Sequence, residues 1–276
     1  MRNLKRALSL ALAAIMLIGM MVVSASAASY NDLTDKDQIV NKDAVSMLVS
    51  LGIIEGKPDG SYGPTENVDR AQMAKMLSVI MNKGVDNSAL YQSVNSGLVD
   101  VNTNWAKGHI NYCYTTGIIA GRGNGKFDPS ATVTALEAAK MLLVAVGYDP
   151  AIEGFEGADW AINVSVRADE QGIFEGFTKD LSAPLNRDDA ALLIYNALDV
   201  EMIQSYTTNN YPIVYSDHRT ILSDKYGVIK VEGVVTANEW AILDDDTDTA
   251  LQEGKTRIYN PDGILSTTGN TAVAQD

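Results

Sequence analysis

A single cysteine, Cys113, and two histidines, His109 and His218, leave this chain without a disulfide framework and without the ligand clusters of a zinc site. Stability must come from packing. His109 and Cys113 stand four apart on one predicted helix, but no further His or Cys completes a metal site around them. Basic residues are also scarce: 21 against 35 acids give a net charge of -14. Such a surface repels nucleic acid and bare anionic membrane and suits a soluble, extracellular protein. Aromatics and proline are few, yet 46% of the residues are apolar, which excludes general disorder.

Only one long hydrophobic run is present, at 7–23. It follows Arg2, Lys5 and Arg6 and leads into Ala25-Ser26-Ala27, the three parts of a secretory signal peptide. The expected cut lies after Ala27, so that 1–27 is leader, and it takes the net charge to about -17. The run is short for a retained anchor. No membrane span is expected after cleavage, and no cysteine follows that would mark a lipoprotein.

What the chain does have is one unit written three times. Leu51-Gly52-Ile53-Ile54-Glu55-Gly56 leads through a Gly/Asp loop to Tyr62-Gly63-Pro64. Gly117-Ile118-Ile119-Ala120-Gly121 leads through Arg122-Gly123-Asn124-Gly125-Lys126 to Phe127-Asp128-Pro129. Gly172-Ile173-Phe174-Glu175-Gly176 leads through a shorter loop to Pro184. An amphipathic helix follows each loop. Its apolar face reads Met73, Met76, Leu77, Ile80, Met81 in the first copy and Ala138, Met141, Leu142, Ala145, Val146 in the second. In the third it reads Ala190, Leu193, Ile194, Ala197, Leu198. Spacings of three, one, three and one put all five on one side of an α-helix. Five matches in each copy mark a true repeat.

The helix starts repeat too. Thr134 with Glu137 has capping-box spacing, and Asp69 with Gln72 and Asn186 with Asp189 are variants of it. The residue after the cap is Arg70, Ala135 and Arg187 in turn. A first helix precedes each loop, ending at Gly52 in copy one. Trp105-Ala106 and Trp160-Ala161 open it in copies two and three, and Val40 holds that place in copy one. Each Trp is either a packing anchor or the border of a ligand groove. Cys113 shares its repeat position with Leu48 and Ala168, which marks it as a small core residue.

After Met202 the pattern changes. Residues 211–215 and 226–235 are β-rich, and Asn260-Pro261-Asp262-Gly263 is a strong turn. The acidic turn at 244–248 lacks the full spacing of a calcium loop and reads as a solvated turn. The expected organisation is mainly α: three helix-loop-helix repeats at 33–84, 98–148 and 155–202, a β-rich segment at 206–265 and an unstructured tail at 266–276.

The Trp-Ala helix, the Gly-Ile-Ile-x-Gly loop ending in Phe/Tyr-x-Pro, and the capped helix with Arg near its start together resemble the S-layer homology domain. The resemblance implies three repeats bundled about a pseudo-threefold axis. It also implies non-covalent attachment of an exported protein to the bacterial cell wall, through a secondary wall polysaccharide that often carries a pyruvate ketal. The family's Thr-Arg-Ala-Glu signature falls on Asp69-Arg70-Ala71-Gln72, Thr134-Ala135-Leu136-Glu137 and Asn186-Arg187-Asp188-Asp189. Copy two has Ala135 in place of Arg, so at most two of three grooves keep an Arg-dependent anion site.

The chemistry allows such a site. A helix N-terminus favours a carboxylate, and an Arg one step inside the cap adds a planar fork for it. The competing reading is a surface Arg paired with a nearby acid. Gly121, Arg122 and Lys126 are either ligand contacts or parts of a tight turn. No Gly-Lys-Ser/Thr follows, which excludes a phosphate loop. The expected carbohydrate-binding set is Arg70, Arg187, Trp105, Trp160, Asp69, Gln72, Glu137, Gly121, Arg122 and Lys126. No cofactor, metal or catalytic residue is expected, since acid pairs such as Glu156 and Asp159 arise readily in so acidic a chain. Two rival functions stay open: an S-layer or envelope assembly protein acting through other envelope proteins, and the anchor part of a longer secreted enzyme.

Overall fold

A computed structural model describes residues 29–228 and, beyond them, 234–238, 240, 251, 255–260 and 263–266. The leader at 1–27 and the acidic turn at 244–248 lie outside the described residues. The chain divides into two compact units at Ala197 and Leu198.

The first unit holds the three copies. Copy one has helices α1 (Lys42–Ser50) and α2 (Arg70–Met81), copy two has α3 (Lys107–Thr115) and α4 (Ala135–Val146), and copy three has α5 (Trp160–Glu170) and α6 (Arg187–Leu198). The second helices of copies one and two pack on the next copy, α2 against α3 and α4 against α5. Apolar periodicity places the core. Met73, Leu77 and Ile80 are buried, as are all five face residues of α4 and all five of α6. The buried side is wider than the sequence pattern, since Ala71, Ala74 and Val79 are buried as well. Cys113 is fully buried beside the Ala74 carbonyl, and burial pushes its thiol pKa well up. It is a core residue, like Leu48 and Ala168 at the equivalent positions.

At the centre the three copies join through a closed ring of backbone hydrogen bonds. The Val68 N–H donates to the Leu185 carbonyl (2.8 Å), Leu185 N–H to Val133 (2.8 Å), and Val133 N–H to Val68 (2.9 Å). All three residues are buried. Each donor therefore has a partner only because the other two copies are present. The ring fixes the equivalence of the copies and corrects one reading of the sequence. The position of Pro64 and Pro129 is taken in copy three by Leu181, whose carbonyl accepts from α4 as theirs do from α6 and α2. Pro184 lies beside the ring instead.

Copies one and two each carry an N-terminal strap. In copy one the turn Tyr30–Asp32 lies on α1, Leu33 reaches Gly56, and Thr34 N–H donates to Gly60 (3.0 Å). In copy two Ser88–Tyr91 lies on α3, crossing at Gly108, where a Cβ would clash with the Ser88 carbonyl oxygen. Asn111 then bonds the Tyr91 and Val94 carbonyls, Leu98 reaches Gly121, and Val99 N–H donates to Gly125 (2.8 Å). Each strap ends in an aspartate. Asp35 accepts from the N–H groups of Tyr62 (2.7 Å) and Gly63 (2.8 Å), and Asp100 accepts from those of Phe127 (2.9 Å) and Asp128 (2.8 Å).

The second unit is small. Strands β1 (Ile203–Tyr206) and β2 (Pro212–Val214) form a hairpin, α7 (Ile221–Tyr226) follows, and β3 (Val234–Ala237), β4 (Arg257–Asn260) and β5 (Gly263–Ser266) form an antiparallel sheet. Asn260 pairs with Gly263 across the turn expected there. Two readings are corrected. Tyr226 ends a helix capped by Thr220 rather than starting a strand, and Ser266 closes β5 rather than opening a tail.

Two predictions follow from the joints. Val133→Pro removes one donor of the ring and leaves a buried carbonyl unpaired; it should lower stability by about 1–3 kcal/mol in urea unfolding. The second concerns acid. Partial burial opposes ionisation of Asp35 and Asp100, but the N–H donors and the nearby Lys57 and Lys126 outweigh it and hold both carboxyls below the ordinary value of 3.8. Because the folded pKa lies below the unfolded one, this stabilisation is complete above pH 4–5 and disappears as pH falls through the folded pKa. Asp100→Asn should therefore lower Tm at pH 7, and by progressively less as the pH falls below about 4, checked by thermal scans across that range.

Candidate functional site

The start of each second helix sits against the loop of the next copy. The capping boxes at Asp69/Gln72 and Thr134/Glu137 form in full, and Asn186 accepts from Asp189 N–H (2.8 Å). The first N–H groups inside the caps go to the neighbouring copy. Arg70 N–H donates to Ala131 and Ala71 N–H to Pro129, while Arg187 N–H donates to Glu66 and Asp188 N–H to Pro64. The donors that make a helix start attractive to an anion are thus already paired within the protein. A carboxylate at the helix N-terminus would have to compete with these carbonyls, and Asp69 and Gln72 are engaged in the cap.

The arginines follow the same logic. Arg70 is only 4% exposed. Its Nε donates to the Phe127 carbonyl (2.8 Å), a second guanidinium nitrogen donates to Ala120 (2.8 Å), and the guanidinium lies 4.3 Å from the centre of the Phe127 ring. Arg187 repeats the pattern on copy one, with Nε on the Tyr62 carbonyl (2.8 Å), a second nitrogen near Glu55 (3.4 Å) and the Tyr62 ring 4.7 Å away. The Tyr62 hydroxyl donates back to the Arg187 carbonyl (2.7 Å). Each Arg clamps one copy onto the next. Burial, with the charge of Arg122, pushes the Arg70 pKa down to about 10, so the group stays charged at neutral pH.

Around each clamp other side chains converge. In the groove about the copy-two loop, Arg122 pairs with Glu137 (2.8 Å) and acts electrostatically on Arg70. Lys140 lies within reach of Arg70 and Glu156 and sits 5.8 Å from the Trp160 ring. Burial, and then the Arg70 charge, push the Lys140 pKa down against the pull of Glu156. In the groove about the copy-one loop, Arg187 meets Glu55, which pairs with Lys75 (3.5 Å). Lys75 acts on His109, whose ring stands edge-on to Trp105 (6.4 Å). Around the copy-two loop, contacts and charges thus link Arg70, Arg122, Glu137, Lys140 and Trp160; around the copy-one loop, Arg187 and Lys75 both meet Glu55, and Trp105 touches His109.

Neither Lys75 nor Lys140 was singled out from the sequence. They occupy the same repeat position on the outer side of the second helix, and that coincidence was the available signal. Trp105 is 58% exposed and precedes α3, whereas Trp160 is half-buried and begins α5. Gly121 makes a close backbone turn, with a Cβ there 2.9 Å from the Lys126 oxygen. Lys126 is exposed and lies toward Asp100, on the strap side. His109 is buried with Nδ1 2.5 Å from the Ser78 hydroxyl, so it and Cys113 face different partners.

The groove about the copy-three loop is different at every matching position. Ala135 stands for the Arg, Leu192 for the Lys, Val40 for the Trp and Lys179 for the aromatic residue under the guanidinium. Ala135 faces the copy-three loop, since Leu136 N–H donates to Leu181 (3.1 Å). The missing Arg of the second signature and the short loop of the third copy are thus features of a single groove.

The family model described as the S-layer homology domain matches residues 29–74 and 99–139, within copies one and two. A protein described as a cell surface protein of Thermoanaerobacter kivui is 28% identical over 97% of this chain and 32% of its own length. An S-layer protein of Bacillus licheniformis is 33% identical over 41% of this chain and 12% of its own length. An amylopullulanase of Thermoanaerobacterium thermosulfurigenes is 30% identical over 62% of this chain and 10% of its own length. The chain spans about a third or less of these relatives. The first two copies thus carry S-layer homology domain sequence, and the chain is similar to proteins described as cell surface and S-layer proteins. Among the described residues no helix is long and apolar enough to cross a membrane.

Arg70→Ala should destabilise the folded chain by about 2–3 kcal/mol, the loss of charge-assisted bonds to two carbonyls. Arg187→Ala, at a less buried site, should have the smaller effect. Arg70→Lys should not restore stability, because an ammonium lacks the planar fork. Urea unfolding of the three variants checks this order.

Proposed function

We propose that the chain anchors an exported protein to the bacterial cell wall by binding an anionic secondary wall polysaccharide in two of its three grooves. The observation that carries this reading is the joint presence of Arg, Lys and Trp in the grooves about the first two loops, and their joint replacement by Ala135, Leu192 and Val40 in the third. A need for packing alone gives no reason for an exposed Trp105 and a paired Lys at matching positions of so acidic a protein. A cationic groove with an aromatic wall suits a sugar bearing a carboxylate: the ring face stacks on indole and the acid meets the ammonium or guanidinium. A pyruvate ketal on N-acetylmannosamine has that chemistry, and the family resemblance points to it.

The residue roles shift from those expected. Arg70 and Arg187 act as positioning residues that hold the loops. Arg122 with Lys140 and Trp160, and Lys75 with Trp105, are the groups proposed to meet the polymer, with Glu137 orienting Arg122. Binding rather than catalysis is the role proposed for the repeats. The amylopullulanase relative keeps alive the reading that such an anchor belongs to a longer enzyme.

The test is co-sedimentation of residues 28–276 with wall sacculi before and after the secondary polymer is chemically stripped. Binding should depend on the polymer, weaken with added salt, and fall at least about tenfold, roughly 1.4 kcal/mol, in the variant Lys75→Gln/Arg122→Gln/Lys140→Gln. Lys179→Gln, in the third groove, should leave it unchanged. Binding that survives stripping, or ignores the triple substitution in a protein of unchanged Tm, would remove the proposal.

A further inference from the structure

The third copy has no strap. The segment before α5 packs elsewhere: Gly154 accepts from Asn163, and Glu153 pairs with Arg167. The α5 face that corresponds to the strapped faces of α1 and α3 is left bare. Val166, equivalent to the strap-binding Asn111, is 54% exposed, and Ile162 one turn earlier is 65% exposed. Beside them opens a cleft of about 400 Å³ lined by Val166, Asp169, Phe174, Phe177, Lys179 and Leu181. Ile54 and Ile119, the counterparts of Phe174, are buried in the strapped copies, while Phe174 is half-exposed.

The backbone of the cleft is also like that of the strapped copies. The N–H groups that Asp35 and Asp100 take in copies one and two correspond, through the ring, to those of Lys179 and Asp180. Among the described residues neither has an acceptor. Lys57 and Lys126 stand near the strap aspartates; in copy three Lys179, at the position of Tyr62 and Phe127 and bonded to Asp189, brings a positive charge to the cleft.

We infer that the copy-three cleft is an acceptor site for an extended peptide segment of another polypeptide, with an apolar side chain followed two residues later by aspartate. The molecule shows twice how such a segment binds. Leu33-Thr34-Asp35 and Leu98-Val99-Asp100 each place a leucine against the loop glycine, pair one N–H with a loop carbonyl, and end with a carboxylate on two loop N–H groups. The incoming segment lies across Ile162 and Val166, sets its apolar residue against Phe174 and Phe177, and gives its carboxylate to the Lys179 and Asp180 N–H groups. The repeats then join a second protein at a face apart from the two cationic grooves.

The probe is a synthetic peptide of residues 90–102, the protein's own second strap, titrated calorimetrically into residues 28–276. Saturable binding is expected. It should weaken at least about tenfold when the peptide carries Leu98→Ala/Asp100→Asn, and equally when the protein carries Val166→Asp, an exposed position whose change leaves the circular dichroism spectrum intact. Wall-sacculus binding of Val166→Asp should stay normal, which separates this site from the anchoring grooves. Absence of saturable binding up to millimolar peptide, or binding indifferent to both changes, would overturn the inference. So would filling of the cleft by a neutral wall sugar that the peptide cannot displace.

Discussion

The ring of three backbone hydrogen bonds between Val68, Leu185 and Val133 is the constraint from which the rest of the first unit follows. A ring of this kind has no partial form with all donors satisfied. With one copy displaced, a buried N–H and a buried carbonyl lose their partners together. Closing it also brings each second-helix start within reach of the next copy, so that the early N–H groups of α2 and α6 find acceptors at 129–131 and 64–66. The helix termini are consumed by architecture, which is why the proposed recognition rests on side chains of the outer rim. The local rules that make a helix start an anion site are sound, but here the symmetry supplies the anion-like partner as a carbonyl.

Much of this was legible in the sequence, and the limits are instructive. The five-residue faces at 73–81, 138–146 and 190–198 follow from helical spacing alone, and the capping boxes are local patterns of three residues. The faces of α4 and α6 are buried in full, Met76 and Met81 of the first face are half-buried, and the boxes at Asp69/Gln72 and Thr134/Glu137 close in both directions. The partners of Arg70 lie 50 and 57 residues away in another copy, and no local rule reaches that far. Pro184 misled because proline is conspicuous: matching it to Pro64 and Pro129 shifted the third loop by three residues, whereas the inconspicuous Leu181 makes the same hydrogen bond. Lys75 and Lys140 were passed over because lysine on an outer helix face is common, and its meaning lies in the contrast with Leu192.

A net negative charge sharpens that contrast. In a chain with 35 acids against 21 bases, a groove that gathers Arg70, Arg122 and Lys140 holds a local positive field that the rest of the surface opposes. Glu137 and Glu156 temper it and fix the direction of the side chains. Such a groove discriminates by charge at short range, since screening removes longer-range steering within about 8–10 Å. Were a densely presented polymer held at two such places on one unit, as proposed above, multivalency would supply what each site lacks in strength.

The differences of the third copy have one physical origin. In copy one, Tyr62 is the point where three interactions meet: its N–H is taken by the strap aspartate Asp35, its carbonyl by the Nε of Arg187, and its ring lies under that guanidinium. Phe127 is held in the same way by Asp100 and Arg70. Strap, loop and clamp are therefore one coupled device. Without the strap the loop residue is less firmly placed, the buried guanidinium loses a well-positioned acceptor, and its desolvation is no longer offset. Small apolar and flexible polar residues are then the stable choices, and Ala135 and Lys179 stand at those positions. Among the described residues the third joint keeps the ring bond, the helix start capped by Thr134 and Glu137, and the Leu136–Leu181 hydrogen bond, which close the bundle without a clamp.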